Sequence, residues 1–217
     1  MAVIAWPSWP PRIKRMTFGL ESNVAQFVSP VTKATQRVER SGARWRASVN
    51  LAFMSETNTR LMRAFLTKLQ DEAGTFYWNE YFNSQPAVVI AGSYGTPLVN
   101  GASQTGRSLI TDGWAAAKTL QKGEYIAFEN GSYRELHMAT ADAVSDGTGN
   151  MTISIVPAIR ISPANNAVIL LDGQASSEST RAAGEFILDG NFTARWNMED
   201  DMVAYAFECV EPLTVTA

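Results

Sequence analysis

The sequence predicts a mainly β fold: a discontinuous N-terminal β-sandwich with one α-helix, into which a small β-barrel domain is inserted. Three observations predict it. Apolar and polar residues alternate in short runs, most clearly where Trp45, Ala47, Val49, Leu51 and Phe53 interleave with Arg44, Arg46, Ser48 and Asn50, the period of two that a half-buried strand requires. A single stretch has helical spacing, with Leu61, Met62, Phe65, Leu66 and Leu69 on one stripe and Arg60, Arg63, Thr67, Lys68 and Gln70 on the other. Asn130-Gly131 and Asp146-Gly147 are strong hairpin signals, and they separate short strand-prone runs at the spacing of a small barrel or sandwich.

Taken in order, residues 1–16 read as an extended arm, because Pro7, Pro10 and Pro11 exclude a helix while Trp6 and Trp9 need apolar cover. That cover is either the arm's own domain or a neighbouring subunit, which makes Trp6 and Trp9 subunit-interface candidates. A first strand spans residues 17–20. Residues 26–29 and 35–40 form a hairpin about the Ser29-Pro30 turn, and residues 43–53 are the central strand. Ser55 is placed to cap a helix over residues 55–72, with Glu56 favourable to the helix dipole in its first turn. Gly74 ends it as a residue able to take positive φ. Residues 75–78 are a further strand.

A boundary is expected at residues 81–85. Beyond it, residues 84–108 hold four glycines and two prolines and read as loops with a short strand at 87–91. Strands at 108–111, 124–128, 133–140, 151–155 and 167–171 complete an inserted barrel over residues 84–172. A Ser/Ala/Gly-rich linker at 173–184 follows. Alternating runs at 192–197 and 202–210, parted by Glu199, Asp200 and Asp201, return to the first domain and close its sheet. That domain therefore comprises residues 1–83 and 185–217.

The chemistry-bearing residues are few. One histidine, His137, and one cysteine, Cys209, leave a His-based triad or a transition-metal site without its other members, so no metal, cofactor or catalytic set is expected and the chain reads as a non-enzyme. Glu124, Glu129 and Glu135, with the acidic turn at 199–201, keep a carboxylate-dependent hydrolase formally open. Asp142, Asp146 and Asn150 lack calcium-loop spacing and read as a hairpin loop. Arg44 and Arg46 make a small basic patch suited to acidic groups on a partner or across the sheet, a second pair of interface candidates. A net charge of −3 with scattered cations gives no nucleic-acid footprint. No apolar run approaches the ~20 residues of a membrane span, and the N-terminus has its basic residues after its apolar ones, the reverse of a secretory signal; a chain made in cytoplasm is expected.

Several phrases together carry a resemblance: QFVSP at 26–30, QRVERSGARWRA at 36–47, LMRAFL at 61–66, AGTFY at 73–77, VNGASQTG at 99–106, TDGW at 111–114 and IVPAIR at 155–160. The chain resembles the distal tail proteins of long-tailed, siphovirus-type bacteriophages over most of its length. The resemblance implies a structural virion protein at the tail tip: a ring, usually a homohexamer, that joins the tail tube protein to the baseplate hub or tail tip protein around a channel for DNA. It also implies a ring-forming N-terminal β-sandwich and a second β domain projecting outward. The reading from another class is a carbohydrate-binding module for attachment to a host surface, which needs an exposed aromatic platform; Trp114 and Tyr133 are its glycan-contact candidates.

Overall fold

The computed structural model describes residues 3–7, 12–69, 74–80, 94–130, 133–171, 182–197 and 202–213. The fold is mainly β, and among the described residues it has one helix. Its first sheet contains β1 (Ile13–Glu21), β4 (Arg44–Leu51), β16 (Met202–Val210), β14 (Gly184–Leu188) and β5 (Phe76–Trp78) in that order, with β15 (Thr193–Asn197) also beside β16. Strands from both ends of the chain thus pair directly, Phe207 opposite Val49 and Cys209 opposite Ala47. Between β1 and β4 a hairpin of β2 (Val24–Val28) and β3 (Thr35–Glu39) forms a two-stranded sheet of its own.

Alternation in β4 does what its sequence predicts: Trp45, Ala47, Val49 and Leu51 are buried, and the residues between them line the opposite, wetter face. The buried face meets α1 (Glu56–Leu69), whose Met62, Phe65, Leu66 and Leu69 join Val203, Tyr205 and Phe207 of β16 in one core. Leu61 departs from the expected stripe and stays exposed, while Thr59 is buried. The helix end expected at residues 70–72 falls outside the described residues. Gly74 is needed for proximity rather than for positive φ, since a Cβ there would lie 2.8 Å from the backbone of Leu69, whose carbonyl accepts the Gly74 N–H.

The second sheet is the inserted barrel. It comprises β13 (Ile169–Leu171), β9 (Tyr125–Asn130), β10 (Tyr133–Ala139), β12 (Met151–Ile159), β7 (Gly106–Trp114) and β6 (Gly95–Val99) in that order. A bridge between Leu98 and Val168 brings the last strand back to the first. Short strands β8 (Thr119–Leu120) and β11 (Ala143–Val144) pair beside it. Sequence reading missed β6, which lies in the glycine- and proline-rich stretch; the strand expected at 87–91 and most of the 173–184 linker lie outside the described residues. β7 also runs on through Asp112-Gly113, past residue 111 where the expected strand ends. Gly113 sits at φ 73°, and a Cβ on it would approach the Thr96 carbonyl to 2.2 Å, so two backbones cross here where only glycine fits.

Barrel and sheet share apolar packing. Along β9 the side chains divide, Ile126 and Phe128 pointing into the barrel core and Tyr125 and Ala127 into the core of the first sheet. Leu136 of β10 does the latter as well. The layer facing the first sheet is therefore built from the helix at the Leu51 end and the barrel wall at the Trp45 end.

The arm settles against its own chain where it is described. Ile4 N–H donates to the Thr75 carbonyl at 2.8 Å, and the Trp6 ring lies 4.9 Å from Phe65 and 4.8 Å from Trp78 between centroids. This corrects the reading of Trp6 as a subunit contact; Trp9 lies outside the described residues. Ile13 to Met16, expected in the arm, belong instead to β1. Because Trp6 fills its own core, Trp6→Ala is expected to lower unfolding free energy by about 2–4 kcal/mol, in a denaturant titration whose midpoint does not change with protein concentration; a change confined to the assembled state would mean that the ring packs elsewhere.

Candidate functional site

The largest concentration of buried polar chemistry lies where barrel meets sheet. Arg160 follows the last residue of β12, Glu211 follows β16, and Glu135 sits on β10 between Arg134 and Leu136. The two carboxylates are fully buried. Arg160 sends its guanidinium fork across the joint, Nη1 to Glu211 Oε2 at 2.9 Å and Nη2 to Glu211 Oε1 at 2.5 Å. Nη1 also donates to the Ala43 carbonyl at 3.3 Å, and Nη2 to the Tyr133 hydroxyl at 3.0 Å. The Tyr133 hydroxyl in turn donates to the Pro212 carbonyl at 2.8 Å.

Backbone groups take up the remaining carboxylate lone pairs. Glu211 Oε1 accepts the Leu136 N–H at 3.1 Å, and its backbone N–H donates to the Trp45 carbonyl at 2.9 Å. Trp45 Nε1 donates to the Leu136 carbonyl at 2.8 Å, a direct sheet-to-barrel bond. Glu135 accepts the N–H groups of Arg160 at 3.1 Å and Ile161 at 2.9 Å, and His137 Nε2 lies 3.3 Å from Glu135 Oε2. The His137 ring stacks on Phe128, and its Nδ1 donates to the Pro157 carbonyl at 2.9 Å.

Electrostatics keep Glu135 and Arg160 ionised. Burial pushes the Glu135 carboxyl up, but the hydrogen bond and charge of His137, then Arg160, outweigh it and hold the group below the usual carboxylate range. Burial pulls the Arg160 guanidinium down, and the Glu211 carboxylate overcomes that and fixes it as a cation. Both carboxylates are buried, and each of their oxygens lies against a donor of the chain itself. What the Arg160–Glu211 pair can do is hold two bodies in one orientation.

The sequence-predicted site residues fall elsewhere or take other roles. Trp114 is 4% exposed, and its Nε1 donates to Thr111 Oγ1 at 2.7 Å inside the barrel core. Tyr133 is 8% exposed and belongs to the joint. Neither is an aromatic platform, because each ring fills protein interior; that corrects the glycan-contact assignment. Arg44 and Arg46 meet Glu21 at 3.1 and 3.4 Å, and Arg46 also reaches Asp189 at 2.6 Å and Glu208 at 3.4 Å, so the acidic groups they meet lie across their own sheet.

The carboxylates do not assemble into a hydrolytic pair. Glu135 is sealed, Glu129 pairs with Arg134, and Glu124 Oε2 accepts the Gln121 N–H at 2.8 Å in a turn. Burial, then the Asp142 charge, push the Glu124 carboxyl up against that backbone bond. Asp146 accepts from the N–H groups of Thr148 and Asn150 and from both their side chains, which uses its oxygens in the loop and holds it well below the carboxylate range. Among the described residues no group of three or more His, Cys, Asp or Glu is placed to hold a metal ion. The turn at 199–201 lies outside the described residues.

Sequence reasoning missed Arg160 and Glu211. The available signal was a charge inside an apolar phrase, Ile159-Arg160-Ile161 and Val210-Glu211-Pro212, where burial demands a partner. No protein-family model matches the chain, and no curated protein matches it.

Breaking the fork strands a buried carboxylate, so Arg160→Met is expected to lose about 3–5 kcal/mol of unfolding free energy, with Arg160→Met/Glu211→Met losing clearly less than the two single changes added together; additive losses would mean that the two groups act independently. A depressed Glu135 makes a contribution that is complete above its unfolded pKa, near 4.5, and fades as pH falls through the lower folded value. Urea midpoints at pH 7 and pH 3.5 should therefore converge more in Glu135→Gln than in the unaltered chain.

Proposed function

We propose that the chain is a structural subunit of the distal end of a phage tail: one copy of a ring, six-membered, that joins the tail tube protein to the baseplate hub or tail tip protein and leaves a central channel for DNA. The observation that carries this reading is the split sheet. Its strands come from residues 13–51 and 76–78 before the barrel and 184–210 after it, with one helix on its buried face, the organisation that the resemblance to distal tail proteins implies.

Further support comes from what the polar chemistry is used for. Arg160 and Glu211 in the interior are spent on joining barrel to sheet, and Glu135 and His137 bond within the barrel behind them, which suits a part that transmits position rather than one that turns over a substrate. A homomeric ring needs two different surfaces of one chain to meet head to tail, and large exposed apolar residues on the β2–β3 hairpin offer one such surface. The carbohydrate-binding alternative loses its platform with the burial of Trp114 and Tyr133.

The test is the mass of the purified protein by light scattering, followed by negative-stain imaging. An oligomer of about six 23.7-kDa copies with an open centre is expected. A single copy at every concentration, also in the presence of purified tail tubes, would overturn the proposal.

A further inference from the structure

Three of the cations scattered along the sequence come together on the outer face of the first sheet. The ladder between β1 and β4 shifts by one residue between Ile13, opposite Leu51, and Arg15, opposite Asn50. Lys14 is the extra residue of that bulge, and both Lys14 and Arg15 are exposed. From the far side, Arg195 of β15 stands opposite Ala204 of β16, and Ala206 of β16 stands opposite Asn50. Val49, Leu51, Val203 and Tyr205 alternate with these residues and are buried. Arg15, Asn50, Ala204, Ala206 and Arg195 therefore share the other face.

Short side chains on the two middle strands leave a hollow there. It is open, holds about 450 Å³, and is lined by Lys14 and Arg15 from β1, Arg195 from β15, and Phe53 just past the end of β4. Four strands lie side by side, so its two cationic walls stand about 14 Å apart. Phe53 continues the buried alternation of β4 in sequence, yet it is 43% exposed. Charge on this face is segregated. At the Trp45 end, Arg44 and Arg46 are paired with Glu21, Asp189 and Glu208. At the Leu51 end no carboxylate lines the hollow, and Lys14, Arg15 and Arg195 take part in none of the ion pairs among the described residues.

We infer that this hollow docks an acidic segment of a different protein, an extended stretch with carboxylates four residues apart and an apolar side chain midway. In an extended chain, residues i and i+4 are about 14 Å apart and face the same side as i+2. Two such carboxylates reach Arg15 and Arg195 together, and the apolar side chain between them lies over Ala204 and Ala206 beside Phe53. A nucleic-acid strand fits less well, because its charge is uniform and along this face it runs into Glu21, Asp189 and Glu208. The inference goes beyond the ring: it names the chemistry of a partner, and the site lies within one copy.

The experiment is a fluorescence-anisotropy titration of the purified chain with the labelled peptide ESLSESLSE, its neutral counterpart QSLSQSLSQ and a labelled oligothymidylate. Saturable binding of the acidic peptide alone is expected. It should be about tenfold weaker in Arg15→Gln/Arg195→Gln, which removes two surface charge contacts, and unchanged in Lys33→Gln/Lys122→Gln, which removes the same charge at exposed positions elsewhere. Equal weakening in both variants means that net charge is read and not the hollow, and overturns the inference, as does no binding at all. Tighter binding of the oligothymidylate through the same two arginines assigns the site to nucleic acid and overturns the acidic-protein reading. Light scattering reads the ring separately. A single copy that still binds the peptide through Arg15 and Arg195 supports this site and overturns the ring, whereas a ring that comes apart in Arg15→Gln/Arg195→Gln makes a neighbouring copy the occupant and overturns the assignment to a different protein.

Discussion

A fully buried carboxyl group needs committed partners, and in this fold Glu211 has its guanidinium only because Arg160 reaches it from the other sheet. The bidentate fork between them spans two bodies that the chain visits far apart in sequence. Most else at the joint serves that contact. The Ala43 carbonyl and Tyr133 hydroxyl take the second proton of Nη1 and of Nη2, Leu136 N–H bonds the carboxylate, and Trp45 ties its indole back to Leu136. Such a pair need not add net stability against a well-packed apolar substitute. It does specify geometry, since a misplaced barrel leaves two charges unpaired in the interior.

The apolar packing agrees with the polar one. Trp45 stacks on Phe18 with centroids 5.2 Å apart and meets Tyr125 of the barrel edge-on at 5.5 Å. At the other end of the sheet, Trp6, Phe65, Phe76, Trp78 and Phe207 form a second aromatic group under the helix. The sheet is thus covered along its length by two different layers, and the surface left for partners is its outer face and the hairpin. Such an organisation suits a spacer of fixed geometry, the role proposed for the chain between tail tube and tail tip.

Much of this was legible in the residues. A strand half-buried on one sheet, such as β4, shows its alternation openly, as does a helix with one wet side. The return of the C-terminal strands was readable because Val203, Tyr205, Phe207 and Cys209 keep the same period. Where an element is buried on both faces, that signal disappears: in β9, Tyr125, Ile126, Ala127 and Phe128 are all apolar because two cores claim them alternately. The shared core between barrel and sheet could not be seen from the run itself. β6 and the crossing at Gly113 were hidden for a different reason, since glycine and proline mark both loops and the edges of closed sheets. Leu61 shows the converse: its spacing fits a buried stripe, but the arm does not cover it.

Native-state hydrogen exchange tests the joint most directly, because two of the bonds across it have N–H donors. The Leu136 amide donates to Glu211 and the Trp45 indole donates to the Leu136 carbonyl, so both are released when barrel and sheet separate. The account predicts protection of these two groups equal to that of the Val49 and Phe207 amides at the centre of the sheet, all opening with global unfolding. If the Leu136 amide and Trp45 indole exchange orders of magnitude faster while Ile153 inside the barrel stays protected, the barrel detaches on its own and the rigid joint is contradicted.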